Sequence, residues 1–177
     1  TTDNGGTYYM ENGALRNSNT IIKVLTDATE YTVVEGITDI EQYAFSNLVG
    51  LKSVTLPDSL RYLAPYAFSN CESLTHLEIP DGTVRIENNI ILGCDLVASI
   101  IIPKSVTTIG EDLLKINNGL TIYCDEDSAA YEYAVANGFP TKRISEFVCG
   151  DGHNLTRVYE NDIEYRMTCT KCGDEGS

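Results

Sequence analysis

A period of 23 residues governs this chain. Leu56-Pro57 returns as Ile79-Pro80 and as Ile102-Pro103, with Val33-Val34 one period earlier. Ile40, Leu63, Ile86 and Ile109 form a second apolar column, and Phe45, Phe68, Ile91 and Leu114 a third. Leu51, Leu74, Val97 and Leu120 form another, as do Val54, Leu77 and Ile100. Tyr43-Ala44-Phe45-Ser46-Asn47 recurs almost intact as Tyr66-Ala67-Phe68-Ser69-Asn70. Self-similarity at a fixed spacing marks an array in which each repeat is one structural unit. A single coil of this length cannot bury its own apolar stripe, whereas stacked coils cover one another. Each column is therefore expected to be a ladder of like side chains running along a solenoid axis.

Each unit has an internal grammar. Leu51-Lys52-Ser53-Val54-Thr55-Leu56 is matched by Leu74 to Ile79 and by Val97 to Ile102. The alternation of Val54 and Leu56 predicts a strand with one buried face. The proline that follows ends the strand, because it cannot donate to a ladder. Leu60-Arg61-Tyr62-Leu63, matched by Val106-Thr107-Thr108-Ile109, reads as a strand or extended turn on the opposite wall. A helical or 3₁₀ turn then carries Ala67 and Phe68 inward.

Parallel ladders leave backbone donors and acceptors open at both ends, so the array needs caps. Thr7 to Leu15 reads as a hairpin around an Asn12-Gly13 turn, followed by a degenerate first coil over residues 20–32. At the other end the repeat breaks after Leu120-Thr121-Ile122-Tyr123. Ser128 is a good N-cap, Asp125, Glu126 and Asp127 complement a helix dipole, and Gly138 is a stop signal. These features predict a short amphipathic helix laid over the open end.

The fragments Ile40-Glu41-Gln42-Tyr43-Ala44-Phe45-Ser46-Asn47, Phe68-Ser69-Asn70-Cys71-Glu72-Ser73-Leu74 and Ile79-Pro80 resemble the BspA-like, or Treponema-type, leucine-rich repeat. The segment from Ser128 to Phe139 is similar to the helix that often closes such arrays. The resemblance covers residues 30–144 and implies a secreted or cell-surface bacterial protein used for adhesion or recognition. Ile90-Ile91 and Leu113-Leu114 depart from the family's Ala-Phe, which changes packing volume but not architecture. The expected fold class is α/β, β-dominated: a right-handed leucine-rich-repeat solenoid with an N-terminal hairpin cap and a C-terminal helical cap. The expected division is a repeat domain over 1–144 (N-cap 1–32, coils 33–123, C-cap 124–144) and a small tail over 145–177.

Six cysteines fall into two groups. Cys71 and Cys94 stand one period apart, so their coils lie about 4.8 Å from each other, within reach of a disulfide. The plainer reading is a small buried residue stacked by the ladder. Cys124 reads as a buried filler at the cap. Cys149, His153, Cys169 and Cys172 have the spacing of a tetrahedral zinc site, C-x₃-H followed by C-x₂-C, around a segment of hairpin length. A tail this short has too little core to stand alone, which gives one structural zinc an obvious use. Alternatives are a Cys149–Cys169 or Cys149–Cys172 disulfide in an oxidising exterior. A Cys169–Cys172 redox pair lacks its usual βαβ context. The tail resembles, weakly, small C-x-x-C-G zinc-ribbon-like modules that follow such arrays in surface proteins.

Nothing along the chain reads as catalytic machinery. Its only histidines are His76 and His153. Ser53, His76 and Ser99 form one row along the strands, but a flat ladder supplies no oxyanion hole or enclosed pocket. No phosphate loop or nucleophile-elbow motif occurs. A net charge of −14 repels nucleic acid and anionic membranes. There is no run of 18 apolar residues that could span a membrane. The polar opening Thr1-Thr2-Asp3-Asn4-Gly5-Gly6 does not read as a signal peptide, which fits a mature or trimmed chain as well as a cytosolic one.

The expected contact surface is the outward side of the strands: Lys52, Ser53, Thr55, Thr75, His76, Glu78, Ser99 and Ile101, with Tyr62 the best aromatic candidate. The expected role is a non-catalytic protein-interaction or adhesion scaffold, whose partner is a protein or glycan on a host or neighbouring cell. A passive display stalk or a carbohydrate-binding module are the alternatives.

Overall fold

The computed structural model describes residues 7–114 and 119–144, together with the backbone course of 155–160 and 164–169. Its repeat region is a β-solenoid of about five turns with one short helix. The apolar columns stack as the period requires. Ile40, Leu63 and Ile86 are fully buried, as are Phe45 and Phe68, and the Phe rings stack with centroids 4.8 Å apart.

The hairpin forms around Asn12 and Gly13, which both take the left-handed conformation that such a turn needs. It joins β1 (Tyr9–Glu11) to β2 (Ala14–Arg16), and β2 pairs with β3 (Thr20–Val24). Arg16 is buried beneath it, bonded to Glu11 and to the carbonyls of Asn17 and Ser18. Next come β4 (Glu30–Thr32), β5 (Asp39–Ile40), β6 (Ser53–Thr55) and β7 (Tyr62–Leu63). They are followed by β8 (His76–Glu78), β9 (Arg85–Ile86), β10 (Ser99–Ile101), β11 (Thr108–Ile109) and β12 (Thr121–Tyr123).

Two walls result. The long wall runs without interruption in the order β1-β2-β3-β5-β7-β9-β11. The opposite wall is split. There β4 pairs with β6, whereas β8, β10 and β12 form a separate ladder that ends in β13 (Thr141–Lys142). Among the described residues no ladder joins β6 to β8, although the coils that carry them are stacked on the other sides.

The corner after the long wall was expected to be helical or 3₁₀, and it is not. It is a run of tight turns in which Tyr43, Tyr66 and Asn89 have φ near +60°, as do Asn47 and Asn70 four residues later in their coils. A left-handed residue stops helix propagation. The backbone donors turn instead along the solenoid axis, Phe45 N–H to Ala67 O (2.8 Å) and Phe68 N–H to Ile90 O (2.8 Å). The corner is thus a third ladder between coils.

The cap helix α1 (Ala129–Asn137) forms where expected, but it is not the amphipathic helix expected, since Val135 is exposed and its buried residues are small alanines. Ser128 Oγ accepts from Tyr131 N–H, and Gly138 closes the helix in the left-handed conformation. Ala130 and Ala134 are buried against the last coil, and Tyr133 Oη accepts from Leu114 N–H. In the tail, β14 (Leu155–Glu160) and β15 (Glu164–Cys169) form an antiparallel hairpin, the length and pairing expected for that segment. Cys149, His153, Cys172 and the Cys169 side chain lie outside the described residues.

Candidate functional surface

The outward residues of β8 and β10 lie in rows because the parallel register sets Ser99 beside His76 and Ile101 beside Glu78. Lys52, Thr55, Thr75 and Glu78 are exposed, and Ser53, His76 and Ser99 are half-buried between them. His76 Nδ1 lies 3.4 Å from Thr75 Oγ1 on its own strand. Burial lowers the His76 pKa, so the neutral ring is favoured in the folded chain. Crowding by packed neighbours, and then the Asp58 carboxylate, hold the Glu78 carboxyl above its ordinary value even though the residue reaches water.

Two expected contact residues are placed differently. Ile101 was expected to be open and is only 3% exposed. It does point away from the main core, but Tyr123 and Ile144 close over it as a second small cluster. The segment that leaves the cap helix pairs β13 with β12 and brings Ile144 across the outer face. The open part of the split wall therefore ends before Ile101. Tyr62, on the long wall, is half-buried, with the Arg85 guanidinium 5.9 Å from its ring centre, so it is not a free aromatic platform.

Cys71 and Cys94 are buried thiols, not a disulfide. Cys71 Sγ donates to Phe45 O at 3.2 Å and Cys94 Sγ to Phe68 O at 3.0 Å, one coil on. The adjoining Cys94 thiol, followed by burial, pushes the Cys71 thiol far above its usual range. Cys124 is buried at the cap, as expected. Among the described residues, no group of three or more His, Cys, Asp or Glu is placed to hold a metal ion.

The periodicity holds no hint of a cleft at the cap, of about 170 Å³, lined by Cys124, Glu126, Tyr131, Thr141, Lys142 and Arg143. Its only sequence signal is that Lys142-Arg143 is the chain's one adjacent basic pair.

Stacked 23-residue coils, apolar columns and capped ends define a leucine-rich-repeat solenoid. The chain belongs to the BspA type leucine rich repeat region family, whose model matches six copies over residues 17–129. Two solved structures share the fold. One is a leucine rich cell surface protein from Faecalibacterium prausnitzii, with TM-score 0.51 and 22% identity over 71% of this chain and 41% of that one. The other is the T. pallidum leucine rich repeat protein, with TM-score 0.51 and 23% identity over 71% of this chain and 64% of that one. The chain thus spans less than two thirds of the length of either. No curated protein matches it. Among the described residues, no helix is long and apolar enough to cross a membrane.

Proposed function

We propose that this chain is a non-catalytic protein-interaction scaffold of a secreted or cell-surface bacterial protein, which engages its partner through the open part of the split wall. The observation that carries this reading is the exposed face formed by Lys52 and Thr55 at β6 and by Thr75 and Glu78 at β8, on neighbouring stacked coils. Repeat proteins use extended surfaces of this kind for binding. The structure of the F. prausnitzii protein, described as a cell surface protein, supports the compartment. Adhesion to a host or neighbouring cell is the finer form of the same reading.

Surface substitution tests it. Thr75→Arg places a long cation on that face, and Thr107→Arg does the same on the long wall. Purified variants are compared for binding to a panel of extracellular matrix and bacterial surface proteins. Loss with Thr75→Arg alone supports the proposed face. Equal binding by both variants, or no binding by the parent chain, favours a display stalk instead.

The tail is proposed to hold one structural zinc through Cys149, His153, Cys169 and Cys172. The hairpin of β14 and β15 supports this, because it brings the segment after Cys149 and His153 back antiparallel to the segment ending at Cys169. Ligation needs thiolates and a neutral imidazole, so binding releases protons and weakens in acid. Elemental analysis of chain purified without chelator is expected to give about one zinc per molecule, as a closed four-ligand site implies. A metal-free chain carrying a disulfide within this set would reject the zinc reading.

A further inference from the structure

We infer that the corner carrying Tyr43, Asn47, Tyr66 and Asn70 is a binding site for a neutral pyranose sugar. Each turn buries three residues, Ala44-Phe45-Ser46 in one coil and Ala67-Phe68-Ser69 in the next. The tyrosine before each trio and the asparagine after it reach the surface. Stacking of the coils sets the tyrosines in one row and the asparagines in another.

The tyrosine rings stack with centroids 5.1 Å apart and 16° between their planes. Tyr66 thus covers one face of the Tyr43 ring. Tyr43 is nevertheless 46% exposed, more than any other aromatic among the described side chains. The backbone makes its presence there unusual. Tyr43 and Tyr66 sit at φ near +60°, a region that Asn tolerates and bulky side chains seldom adopt. One coil on, Asn89 holds the same position at φ +59°. The turn does not require an aromatic ring, yet it presents one to water.

The asparagines give the rings a polar edge. Asn70 Nδ2 donates to Asn47 Oδ1 at 3.0 Å, which leaves Asn47 Nδ2 as a donor and Asn70 Oδ1 as an acceptor. All four side chains are neutral, in a chain of net charge −14. The Lys23 ammonium reaches this corner but is held by Tyr43 O at 2.7 Å and Ser46 Oγ at 2.9 Å.

A pyranose matches both rows. The C–H groups on one face of its ring pack on an aromatic face, and its hydroxyls donate and accept as the amides require. A charged sugar gains no counter-ion from these four residues, and an aliphatic chain leaves the amides unused. The corner lies off the open part of the split wall, so this site and the proposed contact face stand or fail separately.

Saturation-transfer NMR titration of the full chain tests the inference. The probes are the methyl glycosides of glucose and galactose, with the open-chain polyol glucitol as the control that lacks a ring. At least one glycoside is expected to bind about ten-fold more tightly than glucitol, a difference of about 1.4 kcal/mol. Tyr43→Asn removes the ring but keeps a residue suited to positive φ, and it is expected to erase that advantage in a chain that still folds. Tyr43→Phe is expected to keep the advantage. Val135→Ser, an exposed change on the cap helix, is expected to bind as the parent does. Glycosides that bind no more tightly than glucitol, or a Tyr43→Asn chain that binds like the parent, overturn the assignment. Equal losses for Tyr43→Phe and Tyr43→Asn also overturn it, because the ring face would then contribute nothing. A polyproline peptide that binds through Tyr43 while the glycosides do not overturns the sugar and gives the corner to a protein partner.

Discussion

The second and third coils solve the packing problem differently from the fourth and fifth. The earlier pair fills the corner with Phe45 and Phe68, stacked, and with Tyr43 and Tyr66 stacked outside them at 5.1 Å. Asn70 Nδ2 donates to Asn47 Oδ1 at 3.0 Å, so the left-handed asparagines form a ladder of their own. The later pair places Ile91 and Leu114 in the Phe column, Asn89 in the Tyr column and Gly93 in the Asn column. The backbone hardly registers the change, because the donors at Phe68 and Asn70 still reach Ile90 O and Leu92 O. In this fold, then, the inter-coil ladder sets the architecture and the side chains set how much each coil stabilises it.

That difference should be measurable. Phe68→Ala is expected to destabilise by about 3–5 kcal/mol, the range for a fully buried aromatic. Ile91→Ala, in the same column one coil on, should cost about 2–4 kcal/mol, since fewer contacts are lost and the remaining cavity is smaller. Urea titration of both variants decides the order. A larger loss for Ile91→Ala would mean that the aliphatic coils, not the aromatic ones, hold the array together.

Gly93 sharpens the comparison. Its φ is +76°, and a Cβ there would lie 2.3 Å from Asn70 Oδ1. Gly93→Ala is therefore expected to cost about 1–2 kcal/mol, from backbone strain and from displacing the asparagine. Gly93→Asn should cost less, because Asn tolerates the left-handed region and can extend the amide ladder. Thermal melts of the two variants rank them. If Ala is the milder change, the ladder contributes nothing at this position.

The smallest effect concerns pH. His76 has a lowered pKa in the folded chain, so the unfolded chain binds more protons near pH 6. Its contribution is present above the unfolded value of about 6.5 and is lost as pH falls toward the folded value. Because the ring is half-buried, the change should be about 1 kcal/mol or less. Glu78 acts in the opposite sense and at lower pH, since its raised pKa favours the folded state on acidification. The informative measurement is the difference between parent and His76→Gln melts at pH 7.5 and pH 5.5. The parent should lose more stability than the variant, and identical losses would show that His76 is not involved.

The periodic part of the fold was legible because apolar columns report stacking directly. Ile40, Leu63 and Ile86 could only be buried if coils lay on one another. The hairpin and the helix carried their own local signals in Asn12-Gly13, Ser128 and Gly138. The left-handed corner was hidden, because Tyr43 and Tyr66 do not advertise positive φ, although Asn47 and Asn70 hinted at it. Ile101 was misplaced for another reason: its cover, Ile144, belongs to no repeat column, and only the path out of the cap helix brings it there. The cap cleft was hidden for the same reason, since its residues are adjacent only once α1 lies across the end of the solenoid.

The interruption between β6 and β8 gives the molecule an uneven stiffness. A beam with one continuous flange and one cut flange flexes at the cut, about an axis that runs through the intact side. Here the long wall is the intact flange, carried past the cut by Tyr62 N–H to Thr38 O and Ala64 N–H to Ile40 O. Bending that widens the seam breaks no strand ladder there, whereas the same bend between β8 and β10 must rupture one. A load that bends the solenoid is thus expected to open it first between the second and third coils. Thr55 and Glu78 lie on either side of that seam, so their spacing reports how far it opens.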